Sequence, residues 1–199
     1  MDTIKNLVRV TECLDWVSRG ELLDWRGRVG NREANRISAA AKKRGTQVHE
    51  AIASTLLNQK VKKLNNEEAA LGFSAWADWW KLQSIEGSRT VEQTLVDIPL
   101  GLTGTPDFHT SSELFDWKVS KAREPKWTWH WQCVAYLHLL GRFDGKYRII
   151  QLHPEVGTWA EFTGRYSAER ASAFLGLLGA YKKFQLETEK EEIENVIAD

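Results

Sequence analysis

The stretch ELFDWKVSK, residues 113–121, decides how this chain is read. Leu114, Phe115, Trp117 and Val119 suit a buried strand, while Asp116 and Lys118 interrupt it with charge. Side chains on a strand alternate between faces. Asp116 and Lys118 therefore share one face, and Phe115, Trp117 and Val119 share the other. A carboxylate and an ammonium side by side are either an ordinary ion pair, as most surface pairs are, or half of a catalytic site. The surrounding sequence has to separate the two.

Strand-like runs at 91–98 and 101–108 precede this one, parted by Pro99-Leu100-Gly101 and by Thr110-Ser111-Ser112. Further upstream, residues 4–10 read as a short strand and 11–26 as a helix, with Thr11 as cap and Glu12 in its first turn. Residues 31–58 read as helix in two pieces broken near Gly45, and 66–84 as another whose stripe of Ala69, Phe73, Trp76 and Trp80 faces the core. Downstream come a helix over 128–141 ending at Gly141, and strands at 146–152 and 159–163 split by His153-Pro154 and Gly157. A last helix runs from a Ser167 cap to about 187, and the charged tail 188–199 continues it or frays. This order predicts a mixed α/β fold with its sheet in the middle.

At 199 residues the chain can bury one sizeable core, and a single domain over 1–199 is the expectation. Residues 1–86 are its mainly helical part and 90–187 its α/β core. Lysine plus arginine and aspartate plus glutamate each number 27, so no overall polycation advertises nucleic acid, although a local basic groove is compatible with zero net charge. Cys13 and Cys133 have no CxxC partner; they fit a reduced, cytosolic setting and are too few for an all-cysteine zinc or iron–sulfur site. The start MDTIKNLVRV lacks the apolar core of a signal peptide, and no run is apolar enough to span a membrane. The expected location is the cytoplasm. Ten tryptophans are either core mass or platforms for stacking bases.

Asp107, in GLTGTPDFH, offers Asp116 a partner. If 101–108 and 114–119 are antiparallel neighbours the two carboxylates approach, and Pro106 makes the strand edge-like or irregular there. Alone, Asp107 is as readily a turn aspartate. Two carboxylates in a partly buried site repel unless a cation joins them, and Mg²⁺ or Mn²⁺ suits an oxygen-rich site. Lys118 is then placed to polarise an attacking water or to steady charge growing on a phosphate. Upstream, RGTQVHEAI puts His49 and Glu50 on a helix, where a lone histidine is ordinarily a surface or hydrogen-bonded residue. Downstream, WQCVAYLHLL sets Gln132 and Tyr136 four apart on one helix face, as any amphipathic helix with a polar edge could.

Taken in order, GTxxH, G-x-x-D, D-x-K and Q-x-x-x-Y resemble the RecB-like branch of the PD-(D/E)XK nucleases, most of all the small phage exonucleases and the mitochondrial genome-maintenance exonuclease. The segment running from VRVTECLDWV through RGTQVHEAI is similar to their N-terminal helical region, so the resemblance spans about Val8 to Tyr136. It implies a restriction-endonuclease-like domain: a central mixed sheet flanked by helices. It also implies that His49, Asp107, Asp116 and the main-chain carbonyl of Trp117 are metal ligands, and that Lys118 is the catalytic lysine. Gln132 and Tyr136 would brace the site or touch the DNA backbone. Glu92 corresponds to an acidic residue on the first strand, and Glu50 is a further supporting candidate.

The implied activity is Mg²⁺- or Mn²⁺-dependent hydrolysis of DNA, by an exonuclease acting on a single-stranded end or region. The implied setting is replication, recombination or repair in a bacterial or phage-infected cell. Some relatives hold an iron–sulfur cluster with four cysteines; with two here, none is expected. Trp127, Trp129 and Trp131 of KWTWHW, between the charged strand and the Gln132–Tyr136 helix, are expected to border the cleft and stack bases. The alternative is a nucleic-acid-binding module that keeps the fold without cutting, which would have no need of Lys118.

Overall fold

The charged strand is the middle of a sheet. In the computed structural model, which describes residues 7–198 and side chains through Thr188, Glu113–Val119 forms β6. It sits at the centre of a five-stranded sheet ordered β2-β5-β6-β7-β8. Its neighbours are β2 (Thr90–Val91), β5 (Phe108–His109), β7 (Lys146–His153) and β8 (Thr158–Arg165). β6 and β7 run parallel over the whole of β6, and the other pairs are antiparallel, so the sheet is mixed. Parallel neighbours need a crossover, and α5 (Trp127–Leu139) supplies it.

Alternation along β6 sorts its side chains between two cores. Phe115 and Trp117 pack with Trp76 and Trp79 of α4 (Glu67–Lys81) and with Val48 and Ile52 of α3 (Asn31–Leu56). Leu114, on the other face, packs with Cys133, Val134 and Leu137 of α5. The same core includes Val10, Cys13 and Leu14 of α1 (Val10–Val17) and Phe174 and Leu178 of α6 (Ala168–Ala198). Helices thus cover both faces, and the N-terminal helix shares a core with the sheet. The stripe on α4 is core, with Trp79 joining it fully buried.

The structure corrects several boundaries. The strand expected at 4–10 is β1 (Val8–Arg9), residues 4–6 lying outside the described range. The helix expected over 11–26 is two, α1 and α2 (Arg19–Val29), parted at Ser18, whose hydroxyl donates back to the Leu14 carbonyl. Arg9 rather than Thr11 is its cap, with the Glu12 carboxylate accepting from the Arg9 amide at 3.2 Å. α3 runs through Gly45 unbroken. One helical glycine costs only about 1 kcal/mol against alanine, and packing of Val48, Ala51 and Ile52 offsets it. The tail continues α6 to Ala198.

The largest correction concerns the runs at 91–98 and 101–108. Each is two strands. The first divides into β2 and β3 (Leu95–Asp97), the second into β4 (Leu102–Gly104) and β5. β3 and β4 pair in a separate three-stranded sheet with β1, ordered β1-β4-β3. One hairpin therefore passes from one sheet into the other, and both arms break at the same level, around Glu92 and around Pro106-Asp107. Pro106 has no amide hydrogen to give to a ladder, which suits this break.

Candidate active site

The break in the hairpin brings two carboxylates together. At the corner the Glu92 amide donates to the Asp107 carbonyl at 3.0 Å, so the residues face each other where the arms leave the ladder. Glu92 has φ of +46°, a left-handed conformation that costs a side-chain-bearing residue about 1–2 kcal/mol. Such strain gathers at functional sites. Asp107 is held from two directions. Its Oδ2 accepts from the Trp117 amide at 2.7 Å, and its Oδ1 lies 3.0 Å from His49 Nδ1 of α3. His49 Nδ1 or Nε2 and one oxygen each from Glu92 and Asp107 all lie within 4.8 Å of one another. One imidazole nitrogen and two carboxylates at this spacing suit a divalent cation.

Asp116 and Lys118 stand beside this cluster on the α5 face of β6. Lys118 Nζ lies 2.7 Å from Asp116 Oδ2, and the side chains are 18 % and 2 % exposed. Lys118 Nζ also donates to Gln132 Oε1 at 2.8 Å, so the ammonium bridges the Asp116 carboxylate and the Gln132 amide. Asp116 Oδ2 is buried and, among the described residues, has this ammonium as its one partner. A buried carboxylate served by one ammonium has acceptor capacity left for a second cation. Gln132 in turn donates through Nε2 to the Tyr136 hydroxyl at 3.0 Å, which fixes its amide with the oxygen toward Lys118. Gly104, the glycine of G-x-x-D, makes room for this: a Cβ there would lie 2.5 Å from Cε1 of the Tyr136 ring.

Titration follows from this packing. Burial pushes Asp116 up to about 6, with the Lys118 ammonium pulling against it and the Asp107 charge adding to it. Burial acts to raise Asp107 as well, but the His49 charge and hydrogen bond, Lys118 and the Trp117 amide hold it below the usual range. For His49, burial alone would lower the pKa; the Asp107 carboxylate more than offsets this and raises it. Lys118 likewise stays above its ordinary value despite burial, because Asp116 and Asp107 favour its charge. Removal of water and the Asp107 charge raise the Glu92 carboxyl.

The site opens into a cavity of about 710 Å³ lined by Lys118, Gln132, Trp127 and Trp129, with Asp15 and Trp25 from α1 and α2 across from them. Trp127 is 40 % exposed and Trp129 nearly buried, whereas Trp131 packs on the core and edge-on against Trp127, away from the cavity lining. Glu50 is exposed, 3.5 Å from Lys62, and is not in the His49 cluster. Trp117 meets the site through its amide, its ring lying in the core against Trp76 and Trp79. Neither Asp15 nor Trp25 stands out in the sequence as a site residue. The signal available for Trp25 was an α2 carrying Leu22, Leu23 and Trp25 among charges, with no face apolar enough to bury.

No protein-family model matches this chain, and no curated protein does. Among solved structures it is similar to that of SSO0001, at 16 % identity and a TM-score of 0.52, covering 91 % of this chain and 76 % of that one. This is a likeness of fold. Two structures of the alkaline exonuclease LHK-Exo from Laribacter hongkongensis also align. The complex with dAMP does so at 17 % identity and TM-score 0.48, over 77 % of this chain and 85 % of that one. The second aligns at 16 % and 0.41, over 74 % and 85 %.

Proposed function

We propose that this chain is a metal-dependent deoxyribonuclease, an exonuclease of the RecB-like PD-(D/E)XK kind that trims DNA from a single-stranded end in replication, recombination or repair. The observation that carries the reading is the convergence of His49, Glu92 and Asp107 beside an Asp116–Lys118 pair that opens into a tryptophan-lined cavity. Phosphoryl transfer asks a protein mainly for positioning and for charge held ready where charge develops. This arrangement supplies both.

His49, Glu92 and Asp107, with the neighbouring Asp116 carboxylate and the Trp117 carbonyl as further oxygens, would hold Mg²⁺ or Mn²⁺. Such an ion, when bound, supplies Lewis acidity to a phosphoryl oxygen and lowers the pKa of a water. The chain does the rest. Asp107 is held by the Trp117 amide at Oδ2 and by His49 at Oδ1, which fixes its carboxylate within the cluster. Lys118, locked between Asp116 and Gln132, keeps its proton and presents a fixed positive charge to the scissile phosphate. Tyr136 fixes the direction of the Gln132 amide. Trp127 and Trp129 offer rings on which bases stack regardless of sequence, at about 1–3 kcal/mol per base.

The test is incubation of the protein with end-labelled single- and double-stranded DNA, linear and circular, with Mg²⁺, Mn²⁺ or chelator. Shortening of linear single strands with either ion, abolished by chelator and absent on circles, is expected. Intact substrates under every condition would overturn the reading.

A further inference from the structure

A second cavity, of about 390 Å³, reaches the His49 cluster from elsewhere and has a different character. It shares no lining residue with the first. Glu92 of the metal-capable cluster and Glu50 line it, together with Lys60, Lys62 and Lys63 from the segment 57–66 that joins α3 to α4. No aromatic ring lines it. α3 borders both cavities, giving Ile37, Ser38 and Ala41 to the first and Gln47, Glu50 and Ser54 to the second. From Ile37 to Ser54 an α-helix advances roughly 25 Å.

The 57–66 segment is built to present these lysines. Asn58 adopts φ of +55°, a conformation asparagine tolerates, and ends α3. The Asn58 and Gln59 amides donate back to Thr55 and Ser54 at 3.1 and 2.7 Å, pinning the loop at its start. Leu64 packs against the core and ties it down near its end. Between these anchors Lys60, Lys62 and Lys63 are exposed. Lys62 has one distant partner, Glu50 at 3.5 Å, and Lys60 and Lys63 have no ion pair among the described residues. In a chain with zero net charge, three closely spaced cations beside the active cluster are a local feature.

We propose that this loop is an anchoring site for the phosphodiester backbone of a nucleic-acid strand, on the Glu92 side of the cluster. The inference rests on the nuclease reading and adds to it that the strand is held differently on its two sides: by base stacking in the first cavity, and by backbone charge alone in the second. The lysines are spread along the loop rather than gathered on one point, which suits successive phosphates better than a single anion. No aromatic ring lines this cavity to stack a base, and lysine contacts to phosphate carry no sequence information.

Counterion release makes this measurable, since each phosphate neutralised on a single strand contributes about 0.7 to the slope of log K against log salt. The experiment measures binding of a fluorescent oligothymidylate by anisotropy across a salt series, in chelator so that no cleavage intervenes. The variant is Lys60→Ala, Lys62→Ala and Lys63→Ala together, and the control is Lys81→Ala, Lys146→Ala and Lys183→Ala. The loop variant should be shallower than wild type by about 2 in slope, with the control unchanged. An unchanged slope in the loop variant, or an equal change in the control, overturns this inference while leaving the nuclease reading intact. Failure of the wild type to bind any oligonucleotide also overturns this inference, while the nuclease reading falls only if substrates stay intact with Mg²⁺ and Mn²⁺.

Discussion

Lys118 illustrates how far a residue's role can be read from its position. The alternation of ELFDWKVSK fixed its face, and the structure places Asp116 and Gln132 on that face with it. Its positive charge is costly to bury and is offset by Asp116. Lys118→Met should therefore lower kcat about 100–1,000-fold, as removal of one preorganised donor does, while binding to single-stranded DNA in chelator is retained. Single-turnover kinetics and anisotropy separate the two effects, and wild-type turnover would sink the assigned role. His49 and Asp116 make a second prediction, in pH. Both bind protons more tightly than the free residues do, His49 because of Asp107 and Asp116 because of burial, near 6. A cation has to displace those protons, so its affinity is full above these values and is lost as pH falls through them. Mn²⁺ titrated calorimetrically should bind about tenfold or more weakly at pH 5.5 than at pH 8. His49→Ala should weaken Mn²⁺ binding at pH 8, flatten that dependence and narrow the gap between Mn²⁺ and Mg²⁺. Identical Mn²⁺ curves for the two proteins would make His49 a bystander.

Among the elements, α4, α5, α6 and the two long C-terminal strands were legible in place and type, whereas the 11–26 run hid the break at Ser18 that parts α1 from α2. The hairpin was not legible either. Its two runs look continuous because apolar residues resume within a few positions of each break, as Val91 is followed by Leu95 and Leu102 by Phe108, and Pro106 is the main hint of an interruption. The left-handed Glu92 and the move to a second sheet are tertiary facts with no local signature. α3 shows the opposite error, where a glycine looked like a break but packing overrode its small cost. The motif glycine Gly104 gains a reason only from the pairing of elements: β4 passes so close to α5 that the Tyr136 ring occupies the space of a side chain. Gly104→Ala should force that ring aside, at about 1–3 kcal/mol for overpacking, and loosen the hold of Tyr136 on Gln132. The expected result is a lower melting temperature together with reduced kcat, and the double variant Gly104→Ala with Tyr136→Phe should be no slower than Gly104→Ala alone. Additive losses would show that the two residues act independently.

At the scale of the molecule, no helix among the described residues is long and apolar enough to cross a membrane. The N-terminal part is not a detachable appendage, since Val10, Cys13 and Leu14 of α1 are buried with α5 and α6. α2 is another matter. It closes one side of the larger cavity with Leu22 and Trp25 and yet buries none of its residues, between Ser18 at one end and Gly30, at φ of +83°, at the other. A segment that contributes so little to the core opens at a small fraction of the global unfolding free energy, as an independent cooperative unit. Its amides should exchange with deuterium orders of magnitude sooner than those of β6 and β7, and a protease should nick between residues 18 and 30 first. A saturating oligonucleotide lodged in the cavity should slow both, so α2 doubles as a built-in reporter of occupancy that needs neither label nor turnover.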